Sequence, residues 1–419
     1  MSGAGAVGST LSCEQAAERA WDVGIIGAGV AGASLAIRLA REGLSVLLIE
    51  AQRFPREKVC GGCLNQRAIA SLAELGVLAD CQAAGAVPIQ WLRIRQFRRD
   101  HRWRFPEMLS IRRSTLDSLL VQAAIDSGAA YLDQTTATLD EAAEQGDCEV
   151  RLQLRSETAD PDGHAVKGVR VAEVRVSAAV VAAGLTRSPL VRRAEWPAEI
   201  AHGSRIGVQS LVPAELLERQ AWSWSEGLQL SSPDELRMLV GSSGYLGISR
   251  TDGSYFDLAA AVDPEAVRKH KSIGLVIDQL LCECGLPPLG ELNPQRWAST
   301  PHLTRASWPV ARNRVFLIGD AMGYVEPFTG EGMSWGLAGA RQLSDLLREA
   351  LADSTLSGST AGQPEARWNA WAMGQRRRNQ SICRWVAGQV RHPVRAAWLL
   401  NGLDWFPPVR NMILRKATR

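Results

Sequence analysis

The chain is 419 residues long, 46% hydrophobic and 22% charged, with a formal net charge of +3. That hydrophobic share excludes a mainly disordered chain, and eight cysteines over such a length exclude a disulfide scaffold. No run of ~18 uninterrupted apolar residues occurs, so no membrane-spanning helix is expected, and the length predicts two interlocked domains rather than one core.

Residues 1–20 are rich in Gly, Ala and Ser, carry Glu14 and Glu18, and lack the basic and apolar regions of a secretion signal. They are expected to form a disordered leader ahead of a cytoplasmic protein. Order is predicted from Asp22. Val23 to Ile26 is a short apolar run of the kind a buried parallel strand needs. Gly27-Ala28-Gly29-Val30-Ala31-Gly32 follows, then helical spacing from Ala33 to Glu42, with Gly43 as the stop. Leu44 to Ile49 is a second buried strand ending at Glu50, which completes a βαβ unit.

Arg113 to Gly128 reads as a helix with Leu116, Leu119, Leu120 and Ala123 on one face. Residues 149–181 alternate as strands, with a turn at Asp160-Pro161-Asp162-Gly163. Residues 200–300 mix short strand patterns with turns such as Gly241-Ser242-Ser243-Gly244 and read as a separate sheet. Arg314 to Ile318 is another buried strand running into Gly319-Asp320. Residues 353–364 have linker composition. The C-terminal end reads as amphipathic helices broken at Pro393 and at Pro407-Pro408, with five Trp from Trp368 to Trp405.

The turn at residues 27–32 has the G-x-G-x-x-G spacing between a strand and a helix, where dinucleotide binding needs it. Gly27 permits the tight turn, Gly29 lets backbone approach a pyrophosphate, and Gly32 lets helix pack on strand. The free N–H groups of Val30 and Ala31 at the helix start face the phosphates. Glu50 stands where a carboxylate takes the adenosine ribose hydroxyls. FAD and NAD share this fingerprint, so it does not choose between them.

A second glycine-rich stretch, Gly319-Asp320-Ala321-Met322 then Pro327-Phe328-Thr329-Gly330-Glu331-Gly332-Met333, tips the choice to flavin. An Asp at a strand end suits a ribityl hydroxyl, although it would also serve as a helix cap. The N–H groups of a helix opening at Met333 suit the pyrimidine edge of a reduced flavin.

Four pieces in this order resemble the p-hydroxybenzoate hydroxylase-like flavoproteins, and within them the branch of geranylgeranyl reductases and FAD-dependent monooxygenases. They are the turn at Gly27, Gly29 and Gly32 with Glu50, then Arg56-Glu57-Lys58-Val59-Cys60-Gly61-Gly62, then Arg113-Ser114-Thr115-Leu116-Asp117-Ser118-Leu119-Leu120, then the Gly319 to Met333 stretch. The resemblance spans roughly residues 21–350. It implies an α/β fold: a Rossmann-like FAD-binding domain from residues 21–90, 111–190 and 300–350, an inserted β-sheet substrate domain from 91–110 and 191–299, and a basic helical region over 351–419.

It also implies site roles. Arg56 joins the cofactor-binding set, Arg113 lies by the ADP–ribityl region, and Asp320 after Gly319 holds the ribityl chain. Gly330, Gly332 and Met333 contact the isoalloxazine ring. Gly61 and Gly62 let backbone pass close to the flavin, with Cys60 lining the catalytic pocket.

Two stretches depart from the pattern. Ala182-Ala183-Gly184-Leu185 keeps a glycine but lacks the acid of the Asp-Gly pair found in many hydroxylases. Trp222-Ser223-Trp224 has the spacing of a halogenase stretch without its Ile-Pro, so halogenation is disfavoured.

Cys60-x-x-Cys63 has the spacing of a redox pair or half a metal site. Zinc would need a second pair, and Cys282-x-Cys284 has no histidine near it in sequence. A flavin–disulfide relay stays open, against the lack of a second nucleotide-binding βαβ unit.

The leading expectation is an NAD(P)H-using monooxygenase hydroxylating an aromatic or polyketide-like molecule. The alternative is a reductase of isoprenoid double bonds. His101, His202, His270 and His302 all stand as general-base candidates. From Arg376 to Arg419 ten basic residues face one acid, Asp404, so this segment carries +9 and the remainder 3 − 9 = −6. No nucleic-acid partner is expected; peripheral membrane contact through this basic, Trp-rich end is the open alternative to simple packing.

Overall fold

The computed structural model describes the whole chain except residues 1–6, 141–148, 160–164, 191–192, 216–233, 291–295, 327–329, 353–362, 379 and 419. Two large sheets organise it. The first is built on β1 (Trp21–Ile26), β2 (Val46–Ile49), β6 (Ala130–Leu132), β9 (Ala165–Val181), β17 (Ala311–Arg312) and β18 (Val315–Leu317), in the order β17-β18-β9-β1-β2-β6. β18, β9, β1, β2 and β6 run parallel, with Ile25 opposite Val180 and Leu48 opposite Tyr131. Parallel strands are covered on both faces, which is why these read as unbroken apolar runs; all four residues of β2 are fully buried. β7 (Thr135–Leu139) and β8 (Val150–Ala159) extend the sheet as an antiparallel arm on β9. Helix α2 (Val30–Arg41) packs between α5 (Arg113–Asp126) and α8 (Gly332–Ala352).

The second sheet has the order β15-β11-β14-β13-β12-β4-β5-β3. Its strands are β3 (Cys63–Leu64), β4 (Val87–Gln96), β5 (Arg99–Ser110), β11 (Ile206–Pro213), β12 (Glu235–Gly241), β13 (Gly244–Thr251), β14 (Tyr255–Val262) and β15 (Ala298–His302). The expected turn at Ser242-Ser243 joins β12 to β13. Side chains alternate across a strand. On β14, Phe256, Leu258, Ala260 and Val262 pack with Val276, Ile277 and Leu280 of α7 (Ile273–Glu283), while Asp257, Ala259 and Ala261 point to the opposite face. A small third sheet, β10 (Ala198–Ile200), β16 (Arg305–Ser307) and β19 (Gly323–Tyr324), bridges the two halves. Helices α1 (Cys13–Ala17), α3 (Gln66–Glu74), α4 (Leu78–Ala83) and α6 (Pro264–His270) complete the two domains.

Four C-terminal helices follow: α9 (Gln363–Arg378), α10 (Gln380–Val390), α11 (Pro393–Trp405) and α12 (Pro407–Thr418). Each of the last two starts at a proline, where a missing N–H costs nothing. Leu400, Leu403 and Leu414 pack into one apolar cluster with Trp103, Phe105, Met238 and Cys63. The basic region therefore covers the face of the second sheet opposite α7.

Two expectations need correction. Residues 7–20 are ordered rather than a disordered leader. Ser12 and Gln15 form a reciprocal capping box on α1, Thr10 N–H donates to Tyr131 O at 2.9 Å, and Trp21 Nε1 donates to Ala16 O at 2.9 Å. The boundary of the second sheet lies at Val87 rather than residue 91, because β4 enters it at that residue and β3 joins its edge. The Asp160–Gly163 turn, the Trp222/Trp224 stretch, Pro327-Phe328-Thr329 and nearly all of the 353–364 linker lie outside the described residues.

Candidate active site

The glycine turn is under steric command. Gly27 has φ +106° and a Cβ there would sit 2.6 Å from Ala182 O. A Cβ on Gly32 would sit 1.9 Å from Gly27 O, so no side chain fits. Gly29 caps α2, leaving the first N–H groups of Val30 and Ala31 pointing out of the turn. Glu50, at the end of β2, accepts from Ala28 N at 3.0 Å and Gln52 N at 3.1 Å.

Three cations converge on Gly29. An ideal Cβ there would lie 3.6 Å from Arg56 Nη2, 3.7 Å from Arg113 Nη2 and 3.7 Å from Lys58 Nζ. Arg113 is buried rather than a surface charge, and Asp117 takes it in a bidentate pair at 3.0 and 2.8 Å. Arg56 reaches Glu50 at 3.3 Å and Asp117 at 3.4 Å. Burial pushes the Lys58 ammonium below its usual range, and Arg113 adds to that. Lys58 also comes within 3.0 Å of a Cβ position on Gly184, which has φ +64°. A helix N-terminus, a glycine without a side chain, the buried Arg113 and the half-buried Arg56 and Lys58 suit a diphosphate. FAD fits here through its pyrophosphate, with the strand-end Glu50 beside it for the ribose.

The remaining predicted residues gather alongside. Gly319, φ +62°, packs against Ala31, and Asp320 follows in a 3-10 turn over Gly319–Met322, its charge felt by Lys58. Gly330, φ +79°, would carry a Cβ 3.3 Å from that of Cys63, so the Cys60–Cys63 segment lies directly against the start of α8 with Gly332 and Met333. Gly62, φ +64°, leaves 2.6 Å between a Cβ and Ile111 O, so only glycine lets that segment pass. The second sheet grips it: Cys60 N donates to Gln209 Oε1 at 3.1 Å, and Gln209 Nε2 donates to Cys60 O at 2.8 Å and to Asp257 Oδ2 at 2.7 Å. Burial pushes the Asp257 carboxyl up to about 7, opposed by the Gln209 hydrogen bond.

No described cysteine is in a disulfide, and no group of three or more metal-binding side chains occurs among the described residues. Burial pushes the Cys63 thiol up to about 12, with Cys60 and Asp257 adding to it. That is opposite to the thiolate character a relay cysteine requires. Cys284 is buried and Cys282 exposed, so they do not share a ligand position. Of the histidines, His101 is paired with Asp404 at 2.5 Å and His302 with Ser204 O at 2.9 Å; His202 is exposed, and His270 ends α6.

Several residues at this site escape sequence reasoning. Lys58 stood inside a quoted motif, and its proximity to Arg56 was the signal. Gln209, Asp257, Tyr245 and Tyr324 carry no local motif. Tyr245 is a buried and Tyr324 a half-buried phenol, both pushed well above their usual pKa by desolvation, and Tyr245 hydrogen-bonds Glu326. Glu326 is itself held by Arg205 at 3.2 Å and Arg391 at 3.6 Å.

An FAD binding domain family matches residues 20–223. The menaquinone reductase of Mycobacterium tuberculosis is 29% identical over 344 residues, covering 78% of this chain and 76% of that protein. Conditioned medium factor receptor 1 of Dictyostelium discoideum is 24% identical, covering 84% and 68%. Among solved structures, the flavin-dependent brominase Bmp2 superposes with a TM-score of 0.74 at 18% identity, covering 96% of this chain and 94% of that one. PqsL, a probable FAD-dependent monooxygenase from Pseudomonas aeruginosa, does so with a TM-score of 0.65 at 19% identity, covering 91% and 100%. At those identities the structures speak for the fold. No described helix is long and apolar enough to cross a membrane. The match of residues 20–223 to the FAD binding domain family and the fold around the glycine turn thus identify an FAD-dependent oxidoreductase that resembles the p-hydroxybenzoate hydroxylase-like flavoproteins.

Proposed function

We propose that this oxidoreductase is an NAD(P)H-using monooxygenase that hydroxylates an aromatic or polyketide-like molecule with a large apolar part. The observation that carries this reading is the apolar wall beside the Cys60 segment. Met108, Leu236, Met238 and Val240 form it together with Trp103 and Phe105, all buried, and the C-terminal helices close it. Such a packed layer would keep water from the segment beside it, which oxygen transfer by reduced flavin demands, and would favour an apolar substrate next to it. When bound, FAD supplies the electron transfer and the oxygen activation. The chain's own work is to orient and to shield: Arg56, Lys58 and Arg113 with the glycine turn hold the diphosphate, Gln209 fixes the Cys60 backbone, and Tyr324 stands at the edge of the wall.

A second reading, a reductase of carbon–carbon double bonds in an isoprenoid-type substrate, is favoured by the menaquinone reductase relatives. Turnover of the flavin-loaded enzyme with NADPH and candidate substrates, in air and under argon, separates the two. The monooxygenase reading expects product in air and none under argon; undiminished product under argon overturns it in favour of the reductase. The flavin–disulfide reading predicts loss of turnover in both Cys60→Ser and Cys63→Ser, and the raised Cys63 pKa argues against it.

A further inference from the structure

Thirteen large hydrophobic side chains are exposed among the described residues, and seven lie between Trp385 and Met412. Helix α11 shows why this is more than surface scatter. At about 100° per residue, Val394, Trp398 and Trp405 fall on one stripe, and Ala396, Leu400 and Leu403 fall on the opposite one. The inner stripe is buried, with Leu400 and Leu403 on the apolar wall described above. The outer stripe is open: Val394 is 70%, Trp398 78% and Trp405 82% exposed, and Phe406, Val409 and Met412 continue it onto α12. A helix packed on one side of a domain needs a single apolar face. This one has two.

The segment that carries the outer stripe is strongly basic. Residues 376–419 hold ten basic residues and one acid. The acid, Asp404, turns its carboxylate to Trp103 Nε1 at 2.6 Å and to His101. Arg384 and Arg395 are exposed beside the aromatics. We propose that the outer face of α11 and α12 docks on an anionic lipid bilayer, with Trp398, Trp405 and Phe406 at the headgroup boundary and the arginines on lipid phosphates. Trp at a lipid–water boundary and cations against anionic lipid are the two halves of interfacial binding. Neither helix spans the bilayer; both lie on it. The inner faces of the same helices close the apolar wall, so an apolar substrate would pass from lipid to flavin beneath them. That last step rests on the proposed function, whereas the docking face does not.

The test is co-sedimentation of the full-length, flavin-loaded protein with vesicles of phosphatidylglycerol and phosphatidylcholine, against vesicles of phosphatidylcholine alone. Pelleting is expected with the anionic vesicles and is weakened by about 0.5 M salt. Trp398→Ser with Trp405→Ser is expected to cut partitioning at least tenfold while the bound-flavin spectrum is unchanged, which shows the variant is folded. Arg395→Glu is expected to cut it by about an order of magnitude. Wild-type protein left in the supernatant, or serine variants that pellet like wild type, overturns the proposal. A particle of twice the chain mass in light scattering that the serine variants reduce to a monomer, with no pelleting, overturns it in favour of a second copy of this chain. No readout involves turnover, so failure here leaves the proposed reaction standing.

Discussion

Gly32 carries the sharpest constraint at the scale of single residues. A methyl there would overlap Gly27 O at 1.9 Å, so Gly32→Ala is expected to abolish flavin binding; the absorbance of the purified variant near the flavin bands checks this. Lys58 pays a desolvation cost that a bound diphosphate would relieve. Charge-assisted hydrogen bonds contribute ~1.5–3 kcal/mol, so Lys58→Met is expected to weaken FAD affinity about tenfold or more, read by fluorescence titration. Asp257 adds a pH dependence. Its folded pKa of about 7 lies above its ordinary 3.8, so the folded state binds the proton more tightly. The contribution of this group to stability is therefore fully present below pH ~4 and is lost as pH rises toward 7, by a few kcal/mol at ~1.4 kcal/mol per unit. Asp257→Asn is expected to flatten that fall, measured as urea midpoints at acid and neutral pH; an unchanged slope contradicts it. The Arg113–Asp117 pair could be placed from sequence only through the family pattern, because helical spacing alone allows an exposed pair.

At the scale of elements, what was local in sequence was legible and what was assembled was not. The β1–α2–β2 unit announces itself because strand, turn and helix chemistry are contiguous. Pro393 and Pro407 mark α11 and α12 for the same reason. The ordered start of the chain was missed because α1 is five residues long and its capping box sits in a Gly- and Ser-rich stretch; its hold on the domain comes from Tyr131, more than a hundred residues away. Helix α9 shows the same dependence on distant partners. Trp368 is fully buried, donates to Leu317 O at 3.0 Å and stacks on Trp371 at 4.6 Å. Trp368→Ala is expected to cost ~3–5 kcal/mol, seen as a lower urea midpoint, and to loosen α9 from β18, the strand that leads to Asp320.

Over the whole molecule, two sheets meet along the Cys60–Cys63 segment. The parallel sheet supplies the glycine turn and the cations, and the second sheet supplies Gln209, Asp257 and the apolar wall. These contributors are separated by more than two hundred residues, from Gly27 to Asp257, so no window of sequence contains the site; only the family pattern linked its pieces. The C-terminal helices reach it as well, through Arg391 on Glu326 and Arg376 on the carbonyl of Met322. The central claim is that this convergence binds a dinucleotide flavin through its diphosphate and ADP half. Titration of flavin-free protein with FAD and with FMN tests it most directly. The account predicts one FAD per chain and FMN binding weaker by orders of magnitude, with the difference shrinking in Lys58→Met. Equal affinity for FMN and FAD, or no uptake of either, would contradict it.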